Sequence, residues 1–317
     1  MTTAVTTPDP QTPAPAPEKK TPLQKGRDFV RASWDEIRAM LWVLLGVLLF
    51  HSFVAKPFYI PSESMMPVLL EGDRLVVTKY PYGYSYVSPT IPNPVAMAGN
   101  VFGDGPPRPW NVTLPRMEGR LFGSYPERGD VVIVTPPGRS EDYIKRVIGL
   151  PGDTIAMVDG RLVINGAAVA IERRPPAMIP VDANAPCGVF QFPGHRVRAE
   201  DGGLYCRLPV VRETLPNGVA YDTIDLEMRE DTDNFGPIDI PEGHVWLMGD
   251  NRDRSADSRF ALEAGGLGGP VPVENIGGRA EMITFSLDGS ASLNPLTWWQ
   301  SLRDGRSWVS LGSDNEQ

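Results

Sequence analysis

The sequence predicts a mostly β protein carried behind one N-terminal membrane-spanning helix. Three observations predict it. Residues 39–55 form one apolar run without a formal charge. Short β-rich runs separated by turn signals follow it. No helical periodicity of useful length then returns before the C-terminus.

The bulk properties bound this reading. At 317 residues with 41% apolar content, the chain can build one large domain or two modest ones. A net charge of −9 leaves no basic surplus to hold nucleic acid phosphates. The 33 prolines and 32 glycines suit short strands and many turns. The two cysteines, Cys187 and Cys206, form no Cys-x-x-Cys pair of the kind that holds zinc. Spacing alone leaves a disulfide and two free thiols equally open.

Taken from the N-terminus, residues 1–24 are rich in Pro, Thr and Ala and are expected to be disordered. Residues 1–36 together read as this tail plus a basic flank. The anchor is expected over residues 37–56. Its run of about 17 residues, AMLWVLLGVLLFHSFVA, is the short end of a membrane span. It leads into Lys-Pro-Phe-Tyr, a poor processing site, which favours a retained anchor over a cleaved leader. Lys19, Lys20, Lys25, Arg27, Arg31 and Arg38 precede it and only Lys56 lies close behind. The positive-inside bias therefore places the N-terminus in the cytoplasm and the rest of the chain outside.

Beyond the anchor, residues 74–79, 130–135, 143–148, 154–158, 161–164, 244–248 and 279–286 read as strands. Asp159-Gly160 and Asn165-Gly166 mark tight hairpin turns. Residues 57–290 are taken as one β domain with long irregular insertions at about 81–125 and 173–236, and 291–317 as a C-terminal tail.

Two segments have the residue types for chemistry. In Phe58-Tyr-Ile-Pro-Ser-Glu-Ser-Met-Met-Pro67, prolines pin the backbone on both sides of two serines. Ser64 is the candidate nucleophile, and the Ser62 hydroxyl is a candidate second oxyanion donor beside the Ser64 N–H. In Tyr143-Ile-Lys-Arg-Val-Ile148, Lys145 sits in an apolar strand. Alternation puts Tyr143, Lys145 and Val147 on one face. Lost hydration lowers a lysine's pKa towards use as a general base. The same pattern also fits a lysine that extends to solvent, so these residues by themselves leave the question open. A Ser-His-Asp triad is poorly supported. The three histidines are His51 in the anchor, His195 in an irregular loop and His244 at a strand start, and there is no Gly-x-Ser-x-Gly elbow. A third segment, Met248-Gly-Asp-Asn-Arg-Asp-Arg-Ser-Ala-Asp-Ser-Arg-Phe260, lacks calcium-loop spacing. It reads better as a self-paired Asp/Arg turn that scaffolds a site.

Taken together, IPSESMMP, LLEGDRLVV, RGDVVIV, YIKRVIGLPGD, GDNRDRSADSR and VPVENIGGRA, in this order, resemble the bacterial type I signal peptidases, the leader peptidases of family S26. The resemblance implies an antiparallel β catalytic domain with an inserted β subdomain and a Ser/Lys serine endopeptidase. It implies Ser64 as acylated nucleophile, Lys145 as base and Ser62 as oxyanion donor. Ser255 falls where a hydroxyl orients the lysine. Asp257 and Arg259 match a supporting ion pair, within a turn that includes Gly249, Asp250 and Asn251. Phe58, Ile60, Leu69, Tyr143, Ile144 and Met248 match positions lining shallow pockets for small side chains. No cofactor or metal is implied. The implied partners are preprotein signal peptides with small residues at −1 and −3, membrane lipid and, indirectly, the translocation machinery. The implied location is a bacterial inner membrane, with the catalytic domain in the periplasm. Three features depart from the family pattern: one span where some members have two, Glu63 where many have Gly, and a long 81–125 region. Asn111-Val-Thr113 is a chance sequon match in a bacterial setting. Trp298, Trp299 and Trp308 with Arg303 and Arg306 suggest either a lipid-interface helix or packing on the β domain.

Overall fold

The structure is a computed structural model that describes residues 21–102, 112, 114–290 and 295–312. The expected disordered tail up to residue 20, the sequon residues Asn111 and Thr113, and parts of the C-terminal tail lie outside the described residues. The chain divides into two compact units, the first ending at Val47 and the second starting at Leu48.

The first unit is most of helix α1, Pro22–Phe53. It starts well before the apolar run and takes in residues 22–24, which composition alone assigned to the tail. The cause is local. Gln24 N donates to Thr21 Oγ1 at 3.3 Å, and Thr21 N donates to Gln24 Oε1 at 2.9 Å. That is a capping box, with Pro22 at the first helical position. At 1.5 Å per residue, 32 residues make a helix of roughly 48 Å, against roughly 30 Å of hydrocarbon. By length and composition it is sufficient to cross a membrane.

The second unit is built from antiparallel pairs. Strands β1 (Ala55–Tyr59) and β2 (Asp73–Thr78) lead to the short helix α2 (Pro94–Phe102). Then come β3 (Val131–Val134), β4 (Tyr143–Gly149), β5 (Thr154–Val158), β6 (Arg161–Ile164) and β7 (Ala167–Ala168). β8 (Ala170–Pro180), β9 (Arg196–Arg198), β10 (Leu204–Thr214) and β11 (Ala220–Thr223) follow. Last are β12 (Phe235–Asp239), β13 (His244–Met248), β14 (Val271–Pro272), β15 (Ile276–Ser286) and β16 (Val309–Ser310).

The main sheet runs β1-β2-β15-β3-β4-β13-β14, with β16 beside β15. Period-2 alternation divides its apolar residues between two cores. On β3, Val131 and Ile133 join Ile60, Leu69, Val77 and Ile144, whereas Val132 and Val134 join Val147, Val245 and Leu247. A second sheet, β12-β5-β6-β7, packs around Trp246 and Ile155. Its Asp159-Gly160 and Asn165-Gly166 turns have positive φ at all four residues, as two-residue hairpins of this type require.

The third sheet corrects an expectation. Residues 173–236 were read as polar and irregular, but they hold β11-β10-β8, with β9 paired to β10. Pro175, Pro176, Pro180 and Pro209 obscure these strands. β8 is a largely exposed outer strand where missing N–H donors are tolerated, and Pro209 sits where the β8–β10 register shifts. Cys187 and Cys206 form a disulfide with Cα atoms 5.6 Å apart, which settles the question that spacing left open.

The C-terminal tail splits the two alternatives offered for it. Residues Pro295–Ser301 form a short 3₁₀ helix, not a longer interfacial helix. Arg303 turns inward, donating to Asp182 Oδ2 at 2.8 Å, Glu71 O at 2.6 Å and Ser286 Oγ at 2.9 Å. Arg306 pairs with the fully buried Asp73, and Leu311 enters the core beside Ile60 and Leu75. Trp298, Trp299 and Trp308 point outward.

Candidate active site

Ser64 lies past β1 on a bend that is held from both ends. Ile60 N donates to Asp73 O at 3.0 Å, and Leu69 N to Met65 O at 2.8 Å. From the far side, Asn251 N donates to Ser64 O at 3.1 Å. Ser64 itself is buried.

Lys145 comes from β4, whose inner half, Tyr143–Lys145, pairs with β3 only. β13 ends opposite Arg146, so the outer edge of residues 143–145 carries no strand. The Lys145 Nζ donates to Ser64 Oγ at 3.1 Å and to Ile144 O at 2.8 Å, and it lies 5.5 Å from the Tyr143 ring centre. Among the described residues no carboxylate is paired with it. Burial pushes the amine down to about 8; the charges of Asp257 and Asp250 oppose that shift and Arg259 adds to it. A lysine in this state supplies a neutral amine near neutral pH, already aimed at a hydroxyl. The Ser62 hydroxyl lies 3.3 Å from the Ser64 hydroxyl.

The turn after β13 holds this arrangement from behind. Asp257 accepts from Gly249 N, and from Arg259 N, Nε and Nη2, at 2.9–3.1 Å. Burial by itself would raise its pKa, but Arg259 and these donors hold it below the usual carboxylate range. Gly249 is fixed by space. A Cβ there would lie 2.2 Å from Ser255 Oγ and 2.5 Å from Ser64 O. Ser255 is buried in the same wall, but its hydroxyl makes no hydrogen bond, so the expected contact to the lysine amine is not formed. Arg146, next to Lys145, makes a two-pronged pair with Asp250 at 2.9 and 2.8 Å. Sequence reasoning did not single out this pair.

The cleft in front of Ser64 has a volume of about 420 Å³. Phe58, Ile60, Tyr143 and Ile144 line it. Leu69 and Met248 do not. Both are fully buried, Leu69 beneath Ile60 and Ile144, and Met248 beside Trp246 and Ile148. They back the wall and do not face the cleft: Met248 is turned into its core by the pairing of β13, and Leu69 by the turn that its N–H closes onto Met65 O. Ile133, Arg254 and Ala256 line it instead. Of these, Ile133 is signalled by its alternation on β3, and the other two by nothing local.

The chain was compared with known proteins. The family model described as signal peptidase, peptidase S26, matches residues 33–285. Signal peptidase I of Rickettsia typhi is 34% identical over 274 residues, covering 84% of this chain and 83% of the relative. The chain belongs to the S26 signal peptidase family. Signal peptidase I of Rickettsia canadensis is 34% identical over 275 residues, with 84% and 83% coverage. A crystal structure of a signal peptidase I from Enterococcus faecalis is 25% identical, covers 49% of this chain and 97% of that one, and has a TM-score of 0.25. Membership makes this chain a serine peptidase.

One departure from the S26 pattern gains a physical description. Burial raises the Glu63 carboxyl, against the opposing charge of Arg254. Glu71 is pushed up to about 6 by burial first, then by Glu63; Arg303 opposes this and Asp182 adds to it. Glu63, next to Ser64 in sequence, and Glu71 thus influence each other where burial favours their neutral forms.

Proposed function

We propose that this S26 peptidase is membrane-anchored and removes signal peptides from exported preproteins with a Ser64–Lys145 dyad. The single observation that carries the proposal is the buried, acid-free Lys145 amine donating to Ser64 Oγ at 3.1 Å. The three histidines offer no competing base. None of them lines the cleft.

The cycle has two halves. Neutral Lys145 takes the Ser64 proton while Ser64 Oγ attacks the scissile carbonyl carbon. The Ser64 N–H and Ser62 hydroxyl steady the oxyanion. On collapse the C–N bond breaks, the leaving amine takes the proton from Lys145, and an ester to Ser64 remains. Lys145 then deprotonates water, which attacks the ester carbonyl; the bond to Ser64 Oγ breaks, Lys145 returns the proton to Ser64 Oγ, and the signal peptide leaves with its new carboxylate. Asp257 and Arg259 act as positioning residues in this reading, and Ser255 would join them only by turning its hydroxyl to the Lys145 amine.

A substrate strand lies in the gap between the free edges of β1 and β4, a form of strand addition. Small side chains at −1 and −3 face the floor of Ile60, Ile133, Ile144 and Phe58. The boundaries 37–56 for the span and 57–290 for the protease fit a helix that ends at Phe53, only eleven residues before Ser64. A short link of this kind keeps the nucleophile near the membrane surface, where a preprotein's cleavage site emerges. We place the N-terminus in the cytoplasm and the protease in the periplasm, on the charge bias around the helix. Outward-facing Trp298, Trp299 and Trp308 fit contact with lipid headgroups. The Trp298→Ala/Trp299→Ala/Trp308→Ala variant is expected to bind liposomes more weakly when α1 is removed from both proteins; equal binding rejects the lipid contact.

The test of the dyad is cleavage of a purified preprotein by wild type, Ser64→Ala and Lys145→Ala. Near-normal cleavage by either variant would falsify it.

A further inference from the structure

A second buried lysine lies outside the catalytic constellation. Lys79, just past β2, is 4% exposed, and its Nζ donates to Ser88 O. It lines a recess of about 40 Å³ that shares Phe58, Ile133 and Asp142 with the main cleft. Lys56 enters the same recess, its ammonium 4.7 Å from the Phe58 ring centre. Asp142 is also present, with one oxygen accepting from Thr135 Oγ1 at 2.7 Å. The outer wall comes from the 81–125 insertion through Tyr86, Thr90 and Leu114. That wall is fastened. Thr90 N donates to Ser52 Oγ at 2.8 Å, and Ser85 Oγ donates to Glu274 O at 2.7 Å.

The placement follows from strand alternation. Residues two apart share a face of the sheet. On β1, Ile60 and Phe58 are followed towards the anchor by Lys56. Past β2, Val77 is followed by Lys79. On β3, Ile133 is followed by Thr135, and before β4, Ile144 is preceded by Asp142. On all four strands the same floor, apolar beneath the substrate path near Ser64, turns polar one step further towards the start of β1. Gly277 on β15 leaves the space open.

We propose that this recess is a third substrate subsite, which takes an acidic side chain at position −5 of the signal peptide. The proposal rests on the function given above and deepens it. A preprotein reaching Ser64 from the anchor's side runs in the direction of β1, so its −1, −3 and −5 side chains face one floor at intervals of about 7 Å. The −5 side chain then sits over Lys56 and Lys79. Among the described residues that line the recess, two ammonium groups stand beside one carboxylate, Asp142, which Thr135 already engages, so the recess suits an anion. Burial, with the adjacent Lys56 charge, lowers the Lys79 amine to about 8 against the pull of Asp142, a sign that its positive charge is under-compensated.

The experiment uses the full chain in detergent and one preprotein carrying Glu, Gln, Ala or Lys at −5. We expect the wild type to prefer Glu over Lys by roughly tenfold in kcat/KM, the size of a modest charge contact. Lys56→Glu is expected to reverse that order, and Lys79→Met to level it. Each ratio is taken within one enzyme, so a general loss of activity cancels. Equal rates for Glu and Lys with the wild type overturn the subsite, as does a preference unchanged in both variants. If Lys79→Met does not fold, Lys56→Glu decides alone. If wild type leaves the −5 Ala preprotein uncut, or Ser64→Ala cuts it, the underlying function fails and the subsite with it. A cut Ala substrate with a flat −5 series removes the subsite alone.

Discussion

Lys145 and Arg146 are neighbours on β4, both are buried, and they point to opposite faces. Arg146 meets Asp250 through two hydrogen bonds and stacks 4.4 Å from the centre of Tyr221. Lys145 meets a hydroxyl and a carbonyl. The desolvation cost is similar, but only one of the two has an acid in contact to offset it. Arg146 therefore stays a cation and serves as structure, whereas Lys145 is poised to give up its proton. A buried positive charge becomes a base when its partner is withheld.

The largest effect expected from breaking this contrast is on turnover. Ser64→Ala and Lys145→Ala should each lower kcat/KM by about 10³-fold or more, read by single-turnover preprotein cleavage. Next in size, Arg146→Met leaves Asp250 buried without its partner. We expect a loss of about 3–5 kcal/mol in urea unfolding. Arg146→Met combined with Asp250→Leu should recover part of it, and no recovery would count against the pair as the cause.

The sign reverses on the other face. Burial lowers Lys145 in the folded chain to about 8, below the ordinary lysine value of 10.5. Between these values the unfolded chain binds more protons, so stability rises with pH across that window. Lys145→Met should therefore stabilise the protein at pH 7 by about 1–3 kcal/mol, an advantage that shrinks from pH 8 upward and is gone above 10.5. A lower Tm for Lys145→Met at pH 7 would contradict the account. The smallest effect is a slope. Cleavage should climb about tenfold per pH unit below 8 and level off above it, a profile set by the neutral amine.

Much of the fold was legible where one local rule dominates. The Asp159-Gly160 and Asn165-Gly166 hairpins follow from residues that tolerate positive φ, and β5, β6 and β13 fall where alternating apolar runs put them. The β8–β11 sheet was not legible, because its prolines sit on an outer strand and at a register shift where they do little harm. The site was legible as residue types and not as distances. Ser64 and Lys145 are 81 residues apart, and only the pairing of five strands, β1-β2-β15-β3-β4, brings them together. Leu69 and Met248 show the limit of position matching. A residue can sit in a motif that forms a wall and still face the core behind it. The third-sheet side of the cleft had no local signal, since Arg254 reaches the carbonyls of Phe190 and Gln191, more than 60 residues away.

The inward arginines of the tail bear on the order in which the chain is made. Arg303 grips the carbonyl of Glu71 across 232 residues, and Leu311 completes the core under Ile60. Synthesis starts at the anchor, so the segment carrying Ser64 leaves the ribosome with its final clasp still to be translated. A nascent chain lacks the contacts that fix the turn before β2, so on the proposed mechanism cleavage is expected only once residues 303–311 have joined the fold. Truncations that end before Arg303 should therefore behave like unfinished chains, with the N-terminal helix in place but without a closed candidate site.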